Sequence, residues 1–274
     1  MNDNLLRLAL GGITVEVRVS AAEWLEALQA RYRLFASDGT PGWVVSLQAD
    51  PGLERADPPW ASHEETVTTF HVGYSRGEID LVSHAAEVFA PSAQHVAAAA
   101  DRVLSFICTY DLPRRHQGLL LHGAAMMRRG QGLALSGRSG AGKTTASRMA
   151  AGHAQVLTDE NLILSLAGPR PMLLSTPFWG ASTPPEMIHR VNVQAPLRAL
   201  LLLEHGPEFR LERLSDGDAV LALLTTEKLA VERVSSAAAW LAIAQRLVAA
   251  TPTYRLYSRP TAELWPFLDR ELGL

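Results

Sequence analysis

Eight consecutive residues carry the most specific chemistry in this chain: Gly137-Arg138-Ser139-Gly140-Ala141-Gly142-Lys143-Thr144. They fit the pattern G-x-x-x-x-G-K-[S/T], in which a glycine-rich turn joins a strand to a helix and cradles phosphate groups. The residue types follow from that task. Gly137, Gly140 and Gly142 permit backbone conformations that turn successive N–H groups inward, and such a nest of donors binds anions. A helix opening at Lys143 would add the positive end of its dipole. Lys143 offers a full charge to the terminal phosphates, the Thr144 hydroxyl can ligate Mg²⁺, and Thr145 is within reach of an α-phosphate. Arg138, Ser139 and Ala141 complete a nucleotide-binding stretch from Gly137 to Thr145, with ATP and Mg²⁺ as its expected ligands. The preceding apolar run Leu133–Ser136 supplies the strand that this loop requires.

A phosphate cradle needs an acid opposite it, and Val156-Leu-Thr-Asp159-Glu160 offers a short apolar strand ending in two. Asp159 can hold Mg²⁺ or take a proton from an attacking hydroxyl. Side chains alternate faces along a strand, so Asp159 and Glu160 serve one site only if the strand ends there. His122 follows the apolar triplet Leu119–Leu121 and is the one histidine whose placement suggests a role. Catalytic work is therefore expected of Asp159 and Lys143, with Glu160 able to share it and Thr144 and Asp159 as metal ligands, while on spacing alone His122 reads as a structural histidine or a catalytic one.

The surrounding elements read as an α/β fold with a mixed β-sheet, preceded by a β-rich α+β region. Leu5–Leu10 and Ile13–Val19 flank Gly11-Gly12, a hairpin signature. Ser20 is placed to cap a helix over 21–32. Strands are expected at Trp43–Leu47, Thr66–Val72 and Glu78–Val82, with a loop over Asp50–His63 because of Pro51, Pro58 and Pro59. A long helix over Ser92–Asp111 should end at Pro113. Further strands are expected at Leu119–Leu121, Leu133–Ser136, Val156–Thr158, Leu162–Leu166 and Arg198–Leu203. Helices are expected at Lys143–Ala151, Ser215–Leu224, Ser235–Ala250 and Thr261–Leu272. The continuous apolar run Leu200–Leu203 predicts a strand covered on both faces. The organisation expected is a β-rich region over 1–90, a linking helix over 91–118 and a nucleotide-binding domain over 119–274.

Composition narrows the classes. With Lys and Arg at 25 against Asp and Glu at 28, the net charge is −3. Nucleic-acid affinity depends on basic residues neutralising phosphates, so no nucleic-acid partner is expected. The pairs Arg114-Arg115 and Arg128-Arg129 read as solvated or paired with acids. Cys108 is the one cysteine, which excludes a disulfide within the chain and a multi-cysteine metal site, and it reads as a small buried hydrophobe. Neither a signal-peptide order at the N-terminus nor a membrane-length apolar run is found, so the expectation is a cytoplasmic chain with no membrane partner.

Taken together, Leu-His122-Gly, then Gly-Leu-Ala-Leu-Ser-Gly137-Arg-Ser-Gly-Ala-Gly-Lys143-Thr, then Leu-Thr-Asp159-Glu160 resemble the catalytic core of HPr serine kinase/phosphorylase. The likeness is closer to the shorter HPr-kinase-related proteins, some of which phosphorylate precursor peptides in ribosomal-peptide systems such as lasso peptides. It covers Leu119 to Leu166 well. It extends more loosely to Ser175–Gly180, to Leu201-Leu-Leu-Glu204-His-Gly206-Pro and to Tyr254-Arg-Leu-Tyr. The resemblance implies a P-loop core related to HPr kinase and phosphoenolpyruvate carboxykinase. It also implies that Asp159 is general base and magnesium site, and that His122 lies near the transferred phosphate. Two positions depart from the family: Thr145 stands where HPr kinases usually carry an acid, and Glu160 replaces a second Asp.

The reading is a kinase that moves the γ-phosphate of ATP to a Ser or Thr hydroxyl of a protein or peptide substrate. Pro177-Phe178-Trp179-Gly180 is a candidate acceptor-side loop whose aromatics could pack a peptide or the core. The N-terminal region could bind a partner or peptide by edge pairing. A metabolite kinase and a non-catalytic nucleotide sensor are the alternatives. ATP, GTP and pyrophosphate remain open as donors, and so does assembly into a homo-oligomer.

Overall fold

The computed structural model describes residues 4–138, 140–180, 183–185, 188–226 and 237–274. The chain divides into two compact units, one ending at Asp111 and the other beginning at Leu112. Both are mixed α/β, and the sheet in each holds parallel and antiparallel strands. None of the described helices is long and apolar enough to cross a membrane.

In the first unit β1 (Leu5–Leu10) and β2 (Ile13–Val19) form the expected hairpin, with Gly11 and Gly12 both at positive φ. Helix α1 (Ala22–Tyr32) then leads to β3 (Trp43–Ala49), parallel to β2. Trp24, Leu28 and Tyr32 recur every fourth residue, so α1 buries them as one stripe. Ser20 does not cap this helix. The cap position is Ala21 without a side-chain bond, and the Ser20 N–H donates to Leu47 O at 3.1 Å instead.

Four more strands follow: β4 (Ala56–Glu64), β5 (Val67–Gly73), β6 (Ser75–Asp80) and β7 (Ala85–Ala90), in the order β1-β2-β3-β7-β6-β5-β4. The prolines at 58 and 59 predict a loop, yet they lie in β4. An edge strand has one side free of ladder bonds and so tolerates residues without an N–H. Helix α2 (Ala93–Arg114) runs one residue past Pro113, because a proline in the last turn forfeits only one helical bond. Cys108 is buried, and burial pushes its thiol pKa up beyond the range in which a thiolate forms near neutrality.

The second unit contains β8 (Gly118–Arg128), β9 (Gln131–Ser136), α3 (Lys143–Arg148), β10 (Gln155–Thr158), β11 (Asn161–Ser165), β12 (Met172–Leu174) and β13 (Gln194–His205). Then come β14 (Arg210–Arg213), α4 (Asp216–Thr226), α5 (Ala237–Ala250), β15 (Thr253–Ser258) and α6 (Leu264–Leu272). Strand β8 is shared: residues 118–122 pair with β11, while its later residues pair with β9 and β10. Strands β8, β11, β12, β13 and β9 thereby close a circuit of pairings.

Strand β13 runs parallel to β9 and β15 and is covered on both faces, as its apolar run predicts. Leu200 and Leu202 pack with α4 and α5 residues such as Leu223, Trp240 and Ile243. Ala199, Leu201 and Leu203 pack with α3 and α6 residues such as Ala146, Trp265 and Leu268. Alternation along the strand thus feeds two cores. Helix α3 stops at Arg148 rather than Ala151, α6 starts at Leu264 rather than Thr261, and β12, β14 and β15 are strands the sequence reading lacks. Ser235, the expected start of α5, lies outside the described residues.

Candidate functional site

The loop from Gly137 to Gly142 leaves the end of β9 and enters α3 at Lys143. Gly140 has φ +82° and Gly142 φ +99°, a region L-residues avoid. At Gly137 (φ +152°) a β-carbon would lie 2.8 Å from Leu203 O, so the loop passes too close to β13 for any side chain. The Ala141 N–H donates to Arg138 O (3.0 Å), and the Ala146 N–H to Gly142 O (2.8 Å) starts the helix. Lys143 is 7% exposed; its Nζ donates to Gly137 O (2.7 Å) and Arg138 O (3.1 Å). Thr144 is half-buried, Arg138 and Thr145 are exposed, and Ser139 lies outside the described residues. Because α3 has six residues, the expected dipole contribution is small, and loop N–H groups and Lys143 carry most of any attraction for an anion.

The acid pair sits where the sequence condition requires. Strand β10 ends at Thr158 and β11 starts at Asn161, so Asp159 and Glu160 form the connecting turn. Asp159 is 4% exposed and accepts two hydrogen bonds, from the Gly180 N–H (3.0 Å) and the Thr183 hydroxyl (2.5 Å). Glu160 is more open, with Oε1 3.8 Å from His122 Nδ1, beyond hydrogen-bond length. A β-carbon at Gly180 would lie 3.2 Å from Glu160 Oε2 and 3.8 Å from Asp159 Oδ1, so both carboxylates converge on this glycine.

Strand β8 couples acids and loop. His122 pairs in register with Asn161, and Gly123 with Ser136. The Gly123 N–H donates to Glu160 O (3.0 Å), and Ser136 Oγ donates to His122 O (2.9 Å). A β-carbon at Gly123 would collide with Leu135 O. The acid turn and the loop are therefore two strand spacings apart, roughly 10 Å between backbones. Among the described residues no three His, Cys, Asp or Glu side chains cluster as a metal site. A cation here would take protein ligands from Thr144 and Asp159 and complete its shell with phosphate oxygens, which is the usual arrangement for Mg²⁺.

Three contributors escape the sequence reading. Gly180 lies in a segment singled out for its aromatics, but its backbone N–H is what reaches the site. Thr183 carries no local signal. His205, at the end of β13, donates from Nε2 to Gly140 O (2.7 Å) and braces the loop crest. Of the two roles open to Phe178 and Trp179, packing a peptide or the core, the structure gives the core: they are 1% and 7% exposed. The Thr158 hydroxyl donates to the Phe178 carbonyl and ties the segment to the end of β10.

Residues 99–272 match the family described as SynChlorMet cassette protein ScmC. The chain belongs to that family. The ScmC match starts within α2 and runs to the end of α6, so it spans the glycine loop, the acid turn, Gly180 and Thr183. The strands of the first unit lie outside it. No curated protein matches the chain.

Proposed function

We propose that the chain is an HPr-kinase-like phosphotransferase. Its second unit is a P-loop core related to HPr kinase and phosphoenolpyruvate carboxykinase, and it moves the γ-phosphate of ATP to a Ser or Thr hydroxyl of a protein or ribosomal precursor peptide. One juxtaposition carries the reading: a glycine loop with a buried lysine and a turn with a buried carboxylate, tied to the same two residues of β8.

In this reading the loop N–H groups and Lys143 bind the phosphates. The Lys143 ammonium already lies on two loop carbonyls and exchanges them for phosphate oxygens. Asp159, oriented by Gly180 and Thr183, accepts the proton of the attacking hydroxyl. The hydroxyl oxygen bonds to the γ-phosphorus as the bond to the β–γ bridging oxygen breaks, and ADP leaves. Glu160, next to Asp159 in the turn and 3.8 Å from His122, would share with that histidine the work on the acceptor hydroxyl. Mg²⁺, held by Thr144 and Asp159, would neutralise charge on the phosphates.

A metabolite kinase is the second reading, favoured by the roof of Gly180 and Thr183 that leaves Asp159 only 4% exposed. The test is transfer from γ-labelled ATP with Mg²⁺ to HPr, to Ser-containing precursor peptides and to a metabolite panel, with Lys143→Ala and Asp159→Asn alongside. Label on a peptide or protein, lost in both variants, supports the first reading. Label confined to a metabolite supports the second. Tight ATP binding with no transfer to anything would sink both and leave a nucleotide sensor.

A further inference from the structure

We infer that the chain also phosphorylates itself, and that the acceptor is the hydroxyl of Thr183. The inference rests on the phosphotransfer reading and deepens it, because it names a residue of this chain as an acceptor.

A hydroxyl attacks phosphorus well only when a base stands ready to take its proton, and the two must lie within hydrogen-bond reach. Thr183 already meets that condition. Its Oγ1 donates to Asp159 Oδ2 at 2.5 Å. Neighbouring hydroxyls do not meet it: Ser136 donates to His122 O, Thr158 to Phe178 O and Thr176 to Asn161 O. A main-chain carbonyl orients a proton but is far too weak a base to accept it, whereas a carboxylate does both. Of these four hydroxyls, Thr183 alone is paired with a group that can take its proton.

Position and burial favour the transfer. In the phosphotransfer reading the terminal phosphate comes up to Asp159, so a hydroxyl already bonded to Asp159 needs no docking step to meet it. Holding both reactants on one molecule replaces a bimolecular encounter with a unimolecular one. Thr183 is 6% exposed and Asp159 4%. Water, the competing nucleophile, is thereby kept from the base, while an outside acceptor has first to displace Thr183 from Oδ2. A β-carbon at Gly180 would lie 3.2 Å from both Thr183 Oγ1 and Glu160 Oε2, so the hydroxyl sits beside both acids of the turn. In the transfer Thr183 Oγ1 bonds to the γ-phosphorus as the bond to the β–γ bridging oxygen breaks. The proton passes to Asp159, and ADP leaves. The acceptor is then spent, so each chain is labelled once.

The test is incubation of the full chain with γ-labelled ATP and Mg²⁺ and no added acceptor, followed by mass mapping of the labelled residue. Wild type is compared with Thr183→Val, which keeps the shape and removes the hydroxyl, with Thr183→Ser, which keeps the hydroxyl, and with Lys143→Ala and Asp159→Asn. Melting temperatures serve as folding controls. The expected result is label on Thr183 that levels off at about one phosphate per chain. The rate per chain should stay within about twofold when the protein is diluted about tenfold, because the transfer is intramolecular. Thr183→Ser should keep the label, and Thr183→Val should lose it while still binding ATP. Asp159→Asn should slow labelling by about a hundredfold or more. Label that persists in Thr183→Val, or a rate per chain that falls on dilution, overturns the inference. So does an unlabelled wild type that transfers phosphate to HPr, a peptide or a metabolite, and that result leaves the phosphotransfer reading standing. An unlabelled wild type that transfers to none of these, or label undiminished by Lys143→Ala, overturns the reading and the inference together.

Discussion

Replacing Asp159 with asparagine separates chemistry from architecture, because the contacts around this carboxylate predict how the variant will sit. Asparagine keeps the shape but converts one acceptor oxygen into an NH₂ donor. The Gly180 N–H, which donates to Oδ1 at 3.0 Å, is backbone and must keep an oxygen before it. The asparagine nitrogen then faces Thr183 Oγ1, which now donates to Oδ2 at 2.5 Å but can equally accept. Both contacts survive, weakened from charged to neutral, at a cost of about 1 kcal/mol. For a chain of this size that is about 2–4 °C in Tm. Loss of a positioned proton acceptor costs far more in rate, about a hundred- to ten-thousand-fold. Scanning calorimetry and single-turnover transfer from γ-labelled ATP measure the two effects separately. Transfer within about tenfold of wild type at a near-normal Tm would refute a proton-accepting role. A Tm drop beyond about 10 °C would show instead that the carboxylate is chiefly structural.

Two further outcomes follow from the loop and from the C-terminal helix. Gly137→Ala brings a methyl group against Leu203 O and should weaken ATP strongly by titration, whereas Gly140→Ala meets no atom within 4 Å and should cost only about 1–2 kcal/mol of backbone strain. Equal affinity loss in the two would refute the close approach to β13. Hydrogen bonds from Arg128 to Asp269 hold the Asp269 carboxyl below the usual carboxylate range. A depressed folded pKa adds stability that is complete above the unfolded value, about 3.9, and is lost as pH falls through the folded one. Urea unfolding should therefore show Asp269→Asn less stable than wild type at pH 7, with the gap closing toward pH 2. A gap constant with pH refutes the charge account.

Local patterns made much of this molecule legible. Gly11-Gly12 between two strand-like runs suited a tight hairpin, and the glycine spacing of 137–142 announced a tight loop from strand to helix. The turn at Asp159-Glu160 was legible because two acids interrupt apolar runs that belong to consecutive strands. What stayed hidden was set by tertiary position. Pro58 and Pro59 argue against a strand unless it is known to be an edge, and edges are a property of the whole sheet. Phe178 and Trp179 have the same chemistry whether they face a peptide or the core, and only their burial in the folded chain decides between them. Thr183 reaches Asp159 across 24 residues of chain, a separation that leaves no periodic trace.

Gly123 bears on how such a site could change over time. The gap between loop and acid turn is gauged at this residue, whose N–H donates to Glu160 O on one side and which pairs in register with Ser136 on the other, at a position where one methyl group would not fit. The one side chain described as tying the two strands there is Ser136, whose hydroxyl donates to His122 O. In the proposed phosphotransfer reading, the roof over Asp159 can then be rebuilt around a new acceptor while the loop keeps its alignment, so that descendants of this chain exchange one acceptor for another without first relearning how to hold the donor.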